Sequence, residues 1–340
     1  MKKRPTVSVI MPTYNTPVEM LSEAVNSILE QTFMDFEFII IDDCSTDTSV
    51  QYLETIQDER VKIIRNQQNM GITKSLNIGL SLARGRYIAR MDSDDISLPE
   101  RFEKQLAFME ANPDVIVCGT WVQTFGDATY AIKRVIPEQE QLRCSFLFGN
   151  VYGLCHPTAF FRGETLRQHN ITYDENLPTA QDYGMWTVCT KYGQIANVEE
   201  VLLHYRVHNG QISAKKRQLQ MQCTLHVQTA ILRRAMPQVT PAQAQMHVKL
   251  CRERKPSRKL VAWVRLLEKS NRATSAYKPE VFTQVAEDYL KQKFTDFAHV
   301  ARTPDDILGA VLFCPKAARS TVFKTLLARI KRTKKSCREL

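Results

Sequence analysis

The sequence contains no run of about 18 apolar residues, the length that an α-helix needs to cross a bilayer. We therefore predict no transmembrane helix. The basic residues 1–5 lead directly into a strand-like segment with Pro12 and polar side chains, which does not resemble the apolar centre of a signal peptide.

Paired cysteines are also missing. The nine cysteines are an odd number, lie scattered along the chain and form no CxxC pair. This distribution argues against a disulfide framework and against a structural zinc site, and it fits a reducing cytoplasm.

The chain has neither of the common glycine-rich phosphate loops. No GxGxxG follows the first strand-like segment, and GxxxxGK[ST] does not occur. These absences argue against a nicotinamide-dependent enzyme and against a P-loop enzyme. A bound diphosphate would need its charge balanced by a metal ion and by basic side chains.

Charge is unevenly distributed over the 340 residues. The net charge is +10, but residues 1–213 carry 19 basic against 27 acidic side chains, and residues 214–340 carry 27 against 9. An acidic part and a strongly basic part indicate two different tasks. The basic part suits anionic lipid, nucleic acid or an anionic glycan.

The first part alternates strand and helix patterns joined by short connections, which predicts a mostly parallel, doubly wound sheet. The helices predicted between the strands are Val18–Leu29, Ser49–Ile56, Ile72–Leu82 and one from Pro99 to about Glu110. The predicted strands are Thr6–Met11, Phe36–Ile41, Val61–Ile64 and Tyr87–Met91.

After residue 113 the pattern is mixed, with strands predicted at Val115–Val122, Thr158–Phe161 and Val201–Val207 and a helix at Asp182–Tyr192. From about residue 213 the chain is almost wholly helical and basic. We predict a catalytic domain over residues 1–213 and a helical basic region over residues 214–340.

The last predicted helix, Ala317–Arg332, has apolar residues on one side and Lys and Arg on the other and in the tail. This composition is typical of a helix that lies on an anionic membrane surface. A helix that packs its apolar stripe on its own domain has the same pattern.

Polar residues follow all four predicted parallel strands: 12–15, Asp42-Asp43, Arg65-Asn66 and 92–95. Ligands of open α/β sheets bind at the carboxyl ends of the strands, so these side chains should converge. Carboxylates beside a nucleotide diphosphate need a cation, and oxygen ligands suit Mg²⁺ or Mn²⁺. Acidic turns after strands are also common helix caps.

Five segments in this order resemble family 2 glycosyltransferases of the GT-A fold over about residues 6–215: VSVIMPTYN, QTFMDFEFIIIDDCSTD, NMGITKSLNIGLSLARGRYIARMDSDD, AQDYGMW and YRVHNGQIS. The third, fourth and fifth, together with LFGN, are similar to bacterial lipooligosaccharide N-acetylglucosaminyltransferases. The resemblance implies a GT-A type doubly wound sheet with helices on both faces and a helical basic C-terminal extension.

The resemblance also implies roles for single residues. Asp43 would hold the uracil ring and Asp182 would be the catalytic base. Asp94 would ligate the metal ion, Mn²⁺ or Mg²⁺, with Asp92 and His208 as further metal contacts. The remaining nucleotide-sugar contacts would be Pro12, Tyr14, Asn15, Arg65, Lys74, Asp92, Ser93, Arg206 and Ser213.

Two aromatic side chains are candidates for contact with the acceptor. Trp186 lies one helical turn after Asp182, which suits stacking on a sugar. His156 suits an acceptor contact and a structural hydrogen bond equally. For Asp182 itself, the alternative is a simple helix cap.

Two positions depart from the family pattern. Gln181 stands where the family usually has Glu before the base, and an amide cannot accept the proton in place of Asp182. Cys44 stands where a small or amide residue is common, which should alter packing under the uracil and leave the chemistry unchanged.

The sequence thus predicts an inverting, metal-dependent transferase that moves a sugar from a UDP-sugar to a glycan or glycolipid acceptor of lipooligosaccharide, lipopolysaccharide or capsule. N-acetylglucosamine is the leading sugar, before galactose, N-acetylgalactosamine and glucose. We place the enzyme in the cytoplasm on the inner face of the membrane and leave its oligomeric state open. A nucleotidyltransferase would need a glycine-rich basic N-terminal loop, and we expect no nucleic-acid partner because no binding motif accompanies the basic residues.

Overall fold

A computed structural model describes residues 4–133, 135–149, 154–208, 217–301, 313–315 and 319–326. Contacts between Cα atoms divide the chain into two compact units. The first comprises residues 1–139 and 152–224, and the second comprises residues 140–151 and 225–340. The border predicted between residues 213 and 214 stays a prediction.

The first unit alternates strands and helices as the sequence patterns predicted. Its helices are α1 (Val18–Leu29), α2 (Ser49–Glu54), α3 (Ile72–Leu82), α4 (Arg101–Ala111), α6 (Gly163–Gln168) and α7 (Gln181–Cys189). Its strands are β1 (Val7–Thr13), β2 (Phe36–Asp42), β3 (Val61–Arg65), β4 (Tyr87–Arg90), β5 (Ile96–Ser97), β6 (Val115–Gly126), β7 (Ala131–Ile132), β8 (Phe160–Arg162) and β9 (Gln194–Val207).

The sheet has the order β3-β2-β1-β4-β8-β6-β9-β5, with β7 paired to β6. The pairs among β3, β2, β1 and β4 are parallel. Beyond them, β8 runs antiparallel to β4 and β6, β9 runs parallel to β6, and β5 and β7 are antiparallel edge pairings. The mostly parallel α/β sheet is therefore confirmed, and its second half is mixed.

Burial explains why the first half folds in this way. All seven residues of β1 are buried, as expected for a strand covered on both faces. Helix α1 buries Leu21, Val25 and Ile28, which recur at helical spacing, against the same core as β1 and β2.

Several predicted boundaries are wrong by a few residues. Helix α4 begins at Arg101, and Pro99 lies in the turn before it. Thr158 belongs to a 3₁₀ turn, and the strand predicted there begins at Phe160. Helix α7 ends at Cys189. These differences are frayed ends and turns, which periodicity does not resolve.

The described part of the second unit is helical. Helix α5 (Gln139–Leu147) supplies all but its first residue to this unit, and three further helices follow: α9 (Pro241–Arg252), α10 (Arg258–Thr274) and α11 (Pro279–Val300). Helix α8 (Arg217–Ala235) leads from one unit into the other along the chain. Thr240 and Gln243 form the reciprocal capping box at the start of α9, with Pro241 in its first turn.

Residues 319–326 of the predicted C-terminal helix are helical. Val322 and Leu326 are buried in a cluster with Phe294 and Phe297 of α11, whereas Phe323 is 56 % exposed. This part of the apolar stripe is therefore used for packing within its own unit. Among the described residues, no helix is long and apolar enough to cross a bilayer.

A buried histidine fixes the second unit. His247 is fully buried between one donor and one acceptor: its Nδ1 accepts from Trp263 Nε1 at 2.8 Å, so its Nε2 donates to the Leu147 carbonyl at 2.7 Å. Burial lowers its pKa to about 4. The neutral ring therefore belongs to the folded state.

This pKa predicts acid sensitivity of the second unit. The unfolded ring binds a proton below about pH 6.5, whereas the folded ring stays neutral to about pH 4, so stability is complete above 6.5 and falls between these values by up to about 3 kcal/mol. Thermal unfolding of the wild type and His247→Gln from pH 8 to pH 4.5 measures this. We expect the variant to be less stable at pH 8 but to lose less on acidification, and equal losses would contradict the assignment.

Candidate active site

The loops after β1 and β2 are tied to each other by Asn15. Its backbone adopts a left-handed conformation with φ of 47°, which Asn tolerates better than most residues. The Asn15 N–H donates to Ser45 Oγ at 2.9 Å, and the Thr46 N–H donates to Asn15 Oδ1 at 2.8 Å. Asn15 thus holds the ends of two neighbouring strands in register.

Asp43 organises the next loop and faces the cavity described below. Its carboxylate accepts three hydrogen bonds, from Asn66 Nδ2 at 2.7 Å, from the Met70 N–H at 2.8 Å and from the Gly71 N–H at 2.7 Å. A carboxylate has about four acceptor positions, so one remains on Oδ2 for a ligand donor.

The acidic cluster lies in the connection between β4 and β5. Asp92, Asp94 and Asp95 each bring a carboxylate oxygen to within 4.8 Å of the others. Asp94 Oδ2 is 2.9 Å from His208 Nε2, which follows β9. Because β5 pairs with β9, the cluster is held from both ends.

The sequence analysis gave Asp95 no role beyond its place in the acidic turn 92–95. It is fully buried, and its Oδ1 accepts the Arg206 N–H at 2.8 Å. Its Oδ2 is buried with no hydrogen-bond partner among the described residues. Burial and then the charges of Asp92 and Asp94 raise its pKa well above the ordinary range. A divalent cation would satisfy this oxygen, so the residues present fit a metal site.

A buried arginine that the sequence analysis missed balances the cluster. Arg90 is 4 % exposed; its Nη1 donates to Asp92 Oδ2 at 2.6 Å, and its Nη2 pairs with the other oxygen. Burial favours a lower pKa for Arg90, but the charge and hydrogen bond of Asp92, together with Tyr173 and Asp95, outweigh it and raise that pKa. The sequence did offer a signal for Arg90, because it is the one charged residue of the predicted strand Tyr87–Met91.

A second buried arginine supports the first from behind. Arg101 is fully buried; its Nη2 donates to the Arg90 carbonyl at 2.7 Å and its Nε to Gln105 Oε1 at 3.0 Å. Burial lowers its pKa to about 9, so it remains charged at neutral pH. The acidic cluster therefore rests on two fixed positive charges.

Asp182 is the second residue of α7 and borders the same cavity. Its Oδ1 accepts the Tyr183 N–H at 2.8 Å. Helix α3 positions the segment before it, because Thr73 Oγ1 donates to the Leu177 carbonyl at 2.7 Å and Asn77 exchanges two hydrogen bonds with the Tyr173 backbone.

These elements enclose one cavity of about 790 Å³ within the first unit. This volume is in the range of small-molecule sites. The predicted site residues that border it are Pro12, Tyr14, Asn15, Asp43, Asp92, Ser93, Asp94, His156, Asp182 and His208.

Two predicted nucleotide contacts, Arg65 and Lys74, do not border this cavity. Arg65 is exposed, donates to the Ser45 carbonyl at 2.9 Å and pairs with Asp42 at 3.4 Å. Lys74 is exposed on α3. Neither borders the cavity, so direct contact with the nucleotide is not supported for either. Ser213 lies outside the described residues.

Arg206 supports the acidic cluster. Its Nε donates to the Asp94 carbonyl at 2.7 Å, its Nη2 pairs with Glu23, and its guanidinium lies 4.3 Å from the centroid of Phe125. This geometry favours a positioning role, and the contact with the diphosphate stays a prediction.

The structure contradicts the predicted stacking of Trp186 on the acceptor. It is fully buried, stacks on Phe161 with centroids 5.9 Å apart and meets the ring of His156 edge-on at 5.8 Å, so it cannot stack on an acceptor sugar. His156 does border the cavity, and its Nε2 lies 2.8 Å from the Tyr173 hydroxyl. Burial and then Arg90 lower its pKa well below the usual range. Trp186 therefore packs behind His156.

The comparisons with known proteins agree on one family. The model described as "Glycosyl transferase family 2" matches residues 8–169. An uncharacterized glycosyltransferase of Haemophilus influenzae is 32 % identical over 227 residues, covering 63 % of this chain and 69 % of the relative. An Escherichia coli protein, "UDP-Glc:alpha-D-GlcNAc-diphosphoundecaprenol beta-1,3-glucosyltransferase WfaP", is 28 % identical over 214 residues, 62 % of this chain and 80 % of the relative.

A solved structure shares the fold. The structure of S. aureus TarS 1–349 in complex with UDP-GlcNAc superimposes with a TM-score of 0.56 at 16 % identity, over 94 % of this chain and 89 % of that chain. The GT-A architecture predicted from the sequence is confirmed by this likeness.

Replacing Arg90 by Met leaves Asp92 unpaired beside two other carboxylates. We expect the free energy of unfolding to fall by about 3–5 kcal/mol, the usual cost of removing one partner of a buried ion pair. Mn²⁺ should restore part of it by supplying the lost positive charge. Thermal unfolding with and without Mn²⁺ measures both effects.

Arg86→Met is the matched control, because Arg86 is 53 % exposed and pairs with Glu110 at the surface. We expect it to change stability by less than about 1 kcal/mol relative to the wild type, by the same amount with and without Mn²⁺. Arg90→Lys keeps the charge and should lie between the two. An Arg90→Met protein as stable as the control would contradict the balancing role.

Proposed function

The chain belongs to glycosyl transferase family 2, and we propose that it transfers N-acetylglucosamine or another hexose from a UDP-sugar to a glycan acceptor. The observation that carries the proposal is the acidic cluster. Three carboxylates within 4.8 Å of one another include a buried oxygen without a donor, and Asp92 and Asp94 border the same cavity as Asp43 and Asp182.

We place the uridine of the donor at the ends of β1 and β2. The free acceptor position on Asp43 suits the single N–H of a uracil ring, and Tyr14, which is 48 % exposed, offers an aromatic face at the same end of the cavity. The structurally similar TarS binds UDP-GlcNAc, which supports the choice of nucleotide.

We place the diphosphate of the donor beside the acidic cluster, where it would share Mn²⁺ or Mg²⁺ with the carboxylates. Asp94 and Asp95 would hold the ion, with His208 beside Asp94, whereas both oxygens of Asp92 are engaged by Arg90. A divalent ion there supplies a Lewis acid that stabilises the charge developing on the departing UDP. Arg90 and Arg206 keep the carboxylates in place.

Asp182 is proposed as the base for an inverting transfer. It lies at the start of α7 in the same cavity as the acidic cluster, where it can take the proton of an acceptor hydroxyl as that oxygen attacks the anomeric carbon. The neighbouring Gln181 is an amide and cannot take over this role. His156, held neutral, can donate or accept a hydrogen bond to the acceptor from the same wall.

The acceptor is proposed to be a lipid-linked or surface glycan, such as lipooligosaccharide, lipopolysaccharide or capsule, reached at the inner face of the membrane. The name of the E. coli relative includes a diphosphoundecaprenol acceptor. The excess of 27 basic over 9 acidic residues after residue 213 suits an anionic membrane surface, and Phe323 and Lys324 are exposed next to each other there.

Asp94→Asn and Asp182→Asn should separate metal binding from proton transfer. We expect the first to weaken Mn²⁺ binding and the second to lower kcat by about 10²–10⁴-fold with UDP affinity unchanged. UDP release with Mn²⁺ and acceptor, together with calorimetric titration of Mn²⁺ and UDP, measures both. Asp58→Asn, at a partly buried ion pair with Arg60 that does not border the cavity, is the control. Full turnover by both site variants would overturn the proposal.

Donor choice is tested by acceptor-independent hydrolysis. With UDP-N-acetylglucosamine, UDP-glucose, UDP-galactose and UDP-N-acetylgalactosamine, we expect the first to be hydrolysed fastest and all to outpace GDP-mannose. Faster hydrolysis of GDP-mannose would refute the uridine assignment, and a different order among the UDP-sugars would refute only the choice of sugar.

A further inference from the structure

Strands β9 and β6 and the residue immediately before β7 form one row beside the acidic cluster. Tyr205 of β9 is in register with Thr124 of β6. The register of β6 with β7 pairs Val122 with Ile132 and Gln123 with Ala131, and the Thr124 N–H donates to the Tyr130 carbonyl at 2.8 Å, which extends it to Thr124 and Tyr130. The row is therefore Tyr205, Thr124 and Tyr130.

This row lies on the cavity side of the sheet. Side chains of residues in register share a face, and residues two apart along a strand share it too. Tyr205 and Ile132 both border the cavity. Tyr130 lies immediately before β7, two residues from Ile132, and is 54 % exposed. Its ring is therefore an open aromatic surface next to the residues that border the cavity.

The backbone under this ring is fixed. Thr124 is fully buried, and its hydroxyl accepts the Tyr130 N–H at 2.7 Å and donates to the Tyr130 carbonyl at 2.9 Å. On the opposite face of the hairpin, Lys133 Nζ lies 5.2 Å from the centroid of the Trp121 ring. An exposed ring on a fixed backbone binds with little loss of conformational entropy.

The spacing fits a sugar ring. Neighbouring strands lie about 4.8 Å apart, so Tyr205 and Tyr130 are separated by about 10 Å across the small side chain of Thr124. The uridine is placed at β1 and β2, in the other half of the sheet order. The acceptor must therefore approach from the half that contains this row.

We propose that Tyr205 and Tyr130, on either side of the buried Thr124, form an acceptor platform, on which the apolar face of a pyranose ring of the acceptor glycan stacks against Tyr130. The platform rests on the proposed glycosyltransferase activity. It replaces Trp186, whose ring is buried, as the aromatic contact with the acceptor.

The test uses Tyr130→Ala, Tyr130→Phe and the control Tyr192→Ala in the full chain. Tyr192 is 43 % exposed and precedes β9 at the end away from Tyr205, so it matches Tyr130 in type and exposure. Binding of methyl β-N-acetylglucosaminide, methyl β-glucoside and methyl β-galactoside to the UDP- and Mn²⁺-loaded protein is followed by saturation-transfer NMR, and UDP affinity by calorimetry.

We expect Tyr130→Ala to weaken pyranoside binding about tenfold, as loss of an aromatic contact does, with UDP affinity within twofold of wild type. Tyr130→Phe keeps the ring and should bind like wild type, as should Tyr192→Ala. Equal pyranoside affinity in Tyr130→Ala and wild type would overturn the platform, as would a wild type that binds UDP but no pyranoside. Absence of UDP binding by the wild type would instead refute the proposed function.

Discussion

The mutual repulsion of three carboxylates is the constraint on which the site depends. Asp92, Asp94 and Asp95 lie within 4.8 Å of one another, and charges this close in a partly buried setting are stable only beside opposite charge. Arg90 supplies it for Asp92, and His208 contacts Asp94. For Asp95 a buried oxygen remains without a donor among the described residues, and this deficit is what makes the cluster suited to a cation.

The sheet topology puts different sets of residues on the two sides of the acidic cluster. The parallel strands β1 to β4 end in loops that hold Asn15 and Asp43, whereas β6 and β9 carry Thr124 and Tyr205, with Tyr130 immediately before β7. The acidic cluster lies in the connection from β4 to β5, and β5 pairs with β9. One half of the sheet thus suits a nucleotide and the other an acceptor, with the cluster between them.

Buried aromatic and basic residues hold in place the side chains that border the cavity. Trp186 packs against His156, and Arg101 holds the carbonyl of Arg90. Neither has to touch a ligand to matter, because each fixes a side chain that borders the cavity. Arg206 likewise contacts the backbone of the acidic loop through the Asp94 carbonyl.

The sequence by itself determined the order of strands and helices, the polar residues at the strand ends and their convergence, because hydrophobic periodicity and the rules of parallel sheets are local or topological. It could not distinguish which polar side chains face the ligand. Asp95 and Arg90 were missed because burial of a charge becomes visible only when its neighbours are in place. Trp186 was misassigned because helical spacing gives a direction relative to Asp182 but not what covers that face. The row of Tyr205, Thr124 and Tyr130 joins residues up to 81 positions apart through strand register, which only the tertiary structure decides.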